Sequence, residues 1–286
     1  MKTMKNTITL KLIAFLLCSL FILYGSAACI VDPAKSQEGG TVNTNSNRGE
    51  ISVTSATETT CPRTVSRIVL LQDKSGSTNQ TRTPQTSMEH IDLLINFIRP
   101  CGGELSYGLV NEQSNASLLR LRIELPPSGA PNKPDEKGNP FIVSQQMEAY
   151  RQELSRYEGR VRDWRAESER RIADFKSQIG TLLSSPASAR RTDIFGGIQR
   201  ANLFLSESSA VWTNPTHQYL ILVSDGEDNV RRSYTPLNDN VKFILVNGSA
   251  SIGSLGALNP ERFESIESAI RFVVASERDV VARAAP

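Results

Sequence analysis

Three short stretches of the sequence gather carboxylates and hydroxyls in a way that could hold a hard cation. Ile68 to Ser77 reads IVLLQDKSGS, so Asp73 is followed by Ser75 and Ser77 at steps of two. RTDIFGGI supplies Thr192 and Asp193, and SDGEDN supplies Asp225, Glu227 and Asp228. Oxygen donors of this kind suit Mg²⁺, Mn²⁺ or the more tolerant Ca²⁺ rather than a soft metal. The same residue types are also ordinary in turns and at helix starts, so their placement on the fold must decide. His90 and His217 join no acid–base constellation. No GxSxG elbow, HExxH helix or GxxxxGK[ST] phosphate loop occurs to suggest another chemistry.

Asp73 and Asp225 each follow a run of aliphatics, Ile68 to Leu71 and Tyr219 to Val223. Such unbroken apolar runs fit strands buried on both faces, and in open α/β sheets ligands bind at the carboxyl ends of the strands. Thr83 and Pro84 introduce a helix with one apolar stripe, Met88, Ile91, Leu94, Ile95 and Ile98. Leu105, Tyr107 and Leu109 alternate as a strand, and Leu119 to Leu125 alternates as its antiparallel partner. Ile194 to Leu205 predicts a helix and Lys242 to Val246 another buried strand. Phe263, Ile266, Ile270 and Val273 or Val274 mark a closing helix. Glycines 196 and 197 serve either close packing or a weak helix start. This alternation predicts an α/β fold, doubly wound, with a mainly parallel sheet covered on both faces and one antiparallel edge strand.

With these pieces in order, the chain resembles the von Willebrand factor type A family. That family's metal-ion-dependent adhesion site combines an aspartate-x-serine-x-serine stretch, a distant threonine and a later aspartate-glycine. The resemblance places the metal site at Asp73, Ser75, Ser77, Thr192 and Asp225. It implies that Ser75, Ser77 and Thr192 ligate directly while the two aspartates hold coordinating waters. An ion left electrophilic in this way, Mg²⁺ or else Mn²⁺ or Ca²⁺, favours an Asp or Glu side chain of a protein partner, so binding rather than catalysis is expected. Asp193 either orients the Thr192 loop or caps the following helix, and Glu227 and Asp228 either tune the ion or repel an acidic ligand. In the expected topology Cys61 and Cys101 precede neighbouring parallel strands, where they can form a disulfide or remain two buried thiols.

The 286 residues, 39% hydrophobic, can bury one α/β core with residues left for an insertion. Residues 1–28 read as a secretory leader, with Lys2, Lys5 and Lys11 ahead of an apolar stretch that is short for a membrane span. Removing those three lysines takes the 32 basic residues to 29 against 30 acidic, a balance that does not draw the protein to nucleic acid. GSAA before Cys29 resembles a bacterial lipoprotein junction, although Ser26 stands where that signal usually has leucine. Lipidation of Cys29, anchoring the chain to a membrane, and plain cleavage both remain open; either puts the protein in the cell envelope or outside the cytoplasm. Residues 29–60, rich in Ser, Thr, Asn and Gly, read as a flexible tether with a reach of roughly 30 Å.

Residues 61–125 and 186–286 are then the two parts of one domain, with 126–185 inserted between them. The insertion opens on a loop with five prolines between Pro126 and Pro140. From Ser144 to about Leu183 apolar residues recur at helical spacing: Met147, Tyr150, Leu154, Tyr157, Val161 and Trp164, then Ile172, Phe175, Ile179 and Leu182. Gly159 is a candidate break. This helix could pack on its own domain, pair with a second copy or dock a partner, and a scaffold acting through it is the second functional reading. A third starts from a likeness to haloacid-dehalogenase-type phosphotransferases. There the acid two residues after the nucleophile donates a proton, and here that position is Ser75.

Overall fold

In a computed structural model of the chain, the described residues are Cys61 and 64–284, apart from 113, 115–117, 208–211, 213, 231–235 and 248–252. The chain divides into Met1–Ala56 and Thr57–Pro286, and every described residue belongs to the second unit. The leader, Cys29 and the tether lie outside the described residues.

The first strand, β1 (Val65–Asp73), is buried at all nine positions, the aliphatics Ile68 to Leu71 and the flanking polar residues alike. A short helix α1 (Ser77–Gln80) and α2 (Met88–Ile98) lead to β2 (Gly103–Val110) and β3 (Leu119–Ile123). The long helix α3 (Pro140–Leu183) and α4 (Ile194–Ser206) follow. The chain then continues through β4 (Thr216–Val223), β5 (Val241–Val246), a 3₁₀ turn at Gly253–Leu258, β6 (Glu261–Phe263) and α5 (Ile266–Ala284). The six strands form one sheet in the order β3-β2-β1-β4-β5-β6, parallel throughout except where β3 runs against β2.

Alternate residues of the central strands face opposite layers. Ile68, Leu70, Tyr107, Ile221 and Val223 pack with α2, α5 and the later part of α3 through Ile95, Ile270, Phe175 and Ile179. Val69, Leu71, Leu220 and Leu222 pack on α4 through Ile194, Ile198, Ala201 and Leu205. Gly197 is what lets α4 come so close, because a Cβ there would stand 2.9 Å from a Val110 methyl. Burying these two apolar layers is the main favourable term of the fold.

Cys61 and Cys101 form a disulfide with a Cα–Cα distance of 5.2 Å, tying the entries to β1 and β2 together. His90 ends up in local structure. Its Nδ1 accepts from the Ser87 backbone N–H at 3.0 Å, capping α2, and its Nε2 lies 2.7 Å from Glu267 Oε1 on α5. His217 is similarly paired with Glu277 of α5.

Several element boundaries differ from expectation. α2 starts at Met88, not beside Pro84, because the Ser87–His90 capping box sets its first turn. Phe263 belongs to β6, opposite Val246, so the closing helix starts three residues later at Ile266. A three-residue strand is too short for alternation to reveal. The long helix does not break at Gly159. One glycine costs about 1 kcal/mol, less than ending a cooperative helix between strong helix formers.

That helix has 44 residues and so a length of about 66 Å. Its start is set by Asn139, whose side chain accepts from Phe141 N–H, with Pro140 at the first helical position. Ile172, Phe175 and Ile179 are core residues, and Trp164 donates to the Glu124 carbonyl at 2.9 Å. Ahead of Trp164, Met147, Tyr150, Leu154, Tyr157 and Val161 are only half-buried. Asn132, Pro134 and Asp135 of the proline-rich loop line a cavity with Gln146, Tyr150 and Glu153, so the loop runs along this part of the helix.

Candidate functional site

The loop after β1 carries the first set of oxygens. Asp73 is fully buried where the chain leaves the sheet, and both of its carboxylate oxygens are engaged. Oδ1 accepts from Ser75 N–H at 2.8 Å and Oδ2 accepts from the Ser224 hydroxyl at 2.7 Å. The Ser75 and Ser77 hydroxyls stand 3.0 Å apart, and Thr78 donates to the Ser75 carbonyl to hold the turn. The two hydroxyls therefore face one spot.

Asp225 lies on the adjacent loop because β4 pairs with β1 in parallel, Val223 opposite Gln72. One Asp225 oxygen accepts from Glu227 N–H at 3.1 Å. Gly226 follows with φ 86°, a left-handed turn that glycine makes without steric cost.

The third piece arrives from the insertion. After α3 the chain pairs with the β1 loop, Gly76 N–H to Ala189 carbonyl at 3.0 Å and Ala189 N–H to Lys74 carbonyl at 3.2 Å. Three residues on, Thr192 is fully buried and its carbonyl accepts from Asn229 N–H at 3.0 Å. Thr192 is thus stitched toward both aspartate loops. Asp193 is the N-cap of α4, accepting from Gly196 N–H at 3.0 Å, and its own N–H donates to the Asn111 carbonyl. The capping role expected of it is filled. Asp228 accepts from Ile194 N–H at 2.8 Å, which fastens the Asp225 loop to the start of α4, whereas Glu227 is exposed.

The loops that carry all five oxygen-bearing residues therefore meet at the carboxyl edge of β1 and β4. Ser224, which binds Asp73 and accepts from Gly226 N–H, is not among the residues expected from sequence. Its one signal is its position at the end of an apolar run, just after Val223, which pairs with Gln72 beside Asp73.

Two buried oxygens in this cluster, Thr192 Oγ1 and Asp225 Oδ2, have no hydrogen-bond partner among the described residues. Burial pushes the Asp73 carboxyl up to about 6, with Asp225 adding to it, although the bonds from Ser224 and Ser75 oppose the rise. Two buried carboxylates with orphaned oxygens beside them are the environment that a cation would relieve. Three hydroxyls and two carboxylates form an all-oxygen donor set that fits Mg²⁺, Mn²⁺ or Ca²⁺. Among the described residues no group of three or more His, Cys, Asp or Glu is arranged to hold a metal ion. The donors of this cluster are mostly hydroxyls, a different composition.

Lys74, between the two motif residues, is buried, and burial lowers its pKa. Its ammonium donates to Gln85 Oε1 at 3.1 Å and to the Leu183 carbonyl near the end of α3 at 3.2 Å.

The fold and this cluster together define an α/β protein with a hydroxyl- and carboxylate-lined cluster at the carboxyl edge of a mainly parallel sheet. No protein-family model matches the chain, and no curated protein matches it. Among solved structures, the pilus adhesin SpaC from Lactobacillus rhamnosus GG, in its open conformation, overlaps it with a TM-score of 0.34 at 10% identity. The overlap covers 76% of this chain and 30% of the adhesin, so the chain spans under a third of that protein's length.

Proposed function

We propose that this chain is a binding module of the von Willebrand factor type A kind that holds a divalent cation and presents it to an acidic side chain of a protein partner. The observation that carries this reading is the pair of buried, unpartnered oxygens, Thr192 Oγ1 and Asp225 Oδ2, in the same cluster as the Ser75–Ser77 hydroxyl pair. Leaving a buried polar atom unsatisfied costs about 1–3 kcal/mol, a cost that a bound cation would remove. Ser75, Ser77 and Thr192 would hold the ion, and Asp73 and Asp225 would hold its waters. Neutral hydroxyl ligands leave the ion electrophilic enough to take a carboxylate from outside. Ser75 stands where a phosphotransferase would need its proton donor, so we read the site as binding rather than catalytic.

The module acts outside the cytoplasm in this reading, delivered by the leader and anchored through Cys29. The Cys61–Cys101 disulfide is compatible with an oxidising compartment. Isothermal calorimetry with Mg²⁺ and Mn²⁺ tests the ion: the wild type should give a saturable heat that Asp225→Ala and Thr192→Ala lose while still melting cooperatively. Equal heats in all three proteins would overturn the reading. Capture of a partner from envelope extracts should likewise stop when a chelator is added.

The scaffold reading keeps one specific support, the exposure of Phe141 (88%) and Ile142 (55%) at the start of α3. Capture that survives the chelator but is lost in a Phe141→Ser, Ile142→Ser double variant would favour it.

A further inference from the structure

One side of the cation cluster carries more positive than negative side chains. The segment that returns from α3 pairs with the β1 loop at Ala189 and reaches the cluster at Thr192. The two residues between, Arg190 and Arg191, are exposed, and among the described residues neither forms an ion pair. A cavity of about 550 Å³ lies beside this segment, lined by Lys74, Asn111, Glu112, Ser185, Ser188 and Ala189. The Lys74 ammonium donates to two neutral acceptors, Gln85 Oε1 and the Leu183 carbonyl, which leaves one of its three N–H groups for a further acceptor. One acidic residue, Glu112, is exposed on this side, its Oε1 accepting from the Arg190 backbone N–H at 3.0 Å, against the three cations Lys74, Arg190 and Arg191. On the Asp225 loop, Arg231 and Arg232 lie outside the described residues. Glu227 is exposed on the Asp225 loop, next to Asp228.

We infer that the partner's epitope is a run of acidic residues, one carboxylate going to the cation and its neighbours to Arg190, Arg191 and Lys74. This rests on the cation reading above and adds to it the class and direction of the ligand. A lone acid could satisfy the ion but would leave the two arginines in water. A run of acids meets both, and its flank is directed to the return segment because Arg190, Arg191 and Lys74 lie there.

Two synthetic peptides test this on the purified protein in saturating Mg²⁺: one with a single aspartate flanked by serines, the other with three consecutive aspartates. The triple-aspartate peptide should bind about tenfold tighter, with the advantage shrinking in 0.5 M NaCl as rim charges are screened. An Arg190→Ser, Arg191→Ser double variant should lose that advantage yet keep the wild-type Mg²⁺ heat and the wild-type affinity for the single-aspartate peptide. Equal affinities of the wild type for the two peptides, with the Mg²⁺ heat present, would overturn this inference and leave the cation reading standing. Absence of the Mg²⁺ heat would remove the cation reading and this inference with it. Lys74→Gln is a second probe of the same side and should give a smaller loss for the triple-aspartate peptide alone.

Discussion

Asp73 concentrates the physical tension of the molecule. Its carboxyl is fully buried and is pushed up to about 6 chiefly by desolvation. A raised folded-state value means that the folded protein holds the proton more tightly than the unfolded chain does. Stability from this group is therefore present at low pH and lost as pH climbs from about 4 through about 6. A two-unit shift corresponds to about 3 kcal/mol at most. Urea unfolding of the metal-free protein at pH 4.5 and pH 7 should show this slope as the difference between wild type and Asp73→Asn. Saturating Mg²⁺ should flatten the wild-type slope, because a cation favours the ionised carboxylate. A variant that tracks the wild type at both pH values would show that Asp73 is not under this strain. The sequence made Asp73, Ser75 and Ser77 legible as a unit because spacing is local. It did not reveal that Ser224 would bind Asp73, since that contact depends on strand register between residues 151 positions apart.

At the scale of elements, the long helix has two unlike parts. From Trp164 onward it belongs to the core, with Phe175 only 2% exposed against the sheet. Before Trp164 its apolar seam is half-buried, with the proline-rich loop alongside. Phe175→Ala should therefore cost about 3–5 kcal/mol, read as a drop in melting temperature, whereas Phe141→Ser should leave it within a degree or two. Because Trp164 Nε1 meets the Glu124 carbonyl at 2.9 Å, the two ends of the outer part lie together. Replacing residues 127–161 by a short glycine-rich turn should thus leave a cooperatively folding protein; loss of folding would mean that the outer part is integral to the core. The 3.6-residue period made the helix visible from sequence. Which stretch of it would be core was not visible, since both halves carry the same kind of apolar spacing.

Across the whole molecule, the disulfide joins residues 40 positions apart and closes the lower edge of β1 against β2. Constraining a loop of that length is worth about 4 kcal/mol at most in the unfolded chain, so a Cys61→Ser, Cys101→Ser protein should unfold at clearly lower urea and with a steeper slope, its unfolded chain being less compact. The parallel order β2-β1-β4 sets the carboxyl ends of β1 and β4 side by side, and the site follows from that adjacency. Composition and periodicity alone determined the layered α/β class, the central strands, the antiparallel edge and the existence of a long inserted helix, because each is written in local runs of apolar residues. They could not determine the short strand β6, the unbroken passage through Gly159, or the pairing of Ala189 with the β1 loop that brings the Thr192 segment to the sheet edge. Those depend on register, on helical cooperativity and on where the return segment pairs with the β1 loop, and each is decided only once distant parts of the chain pack together.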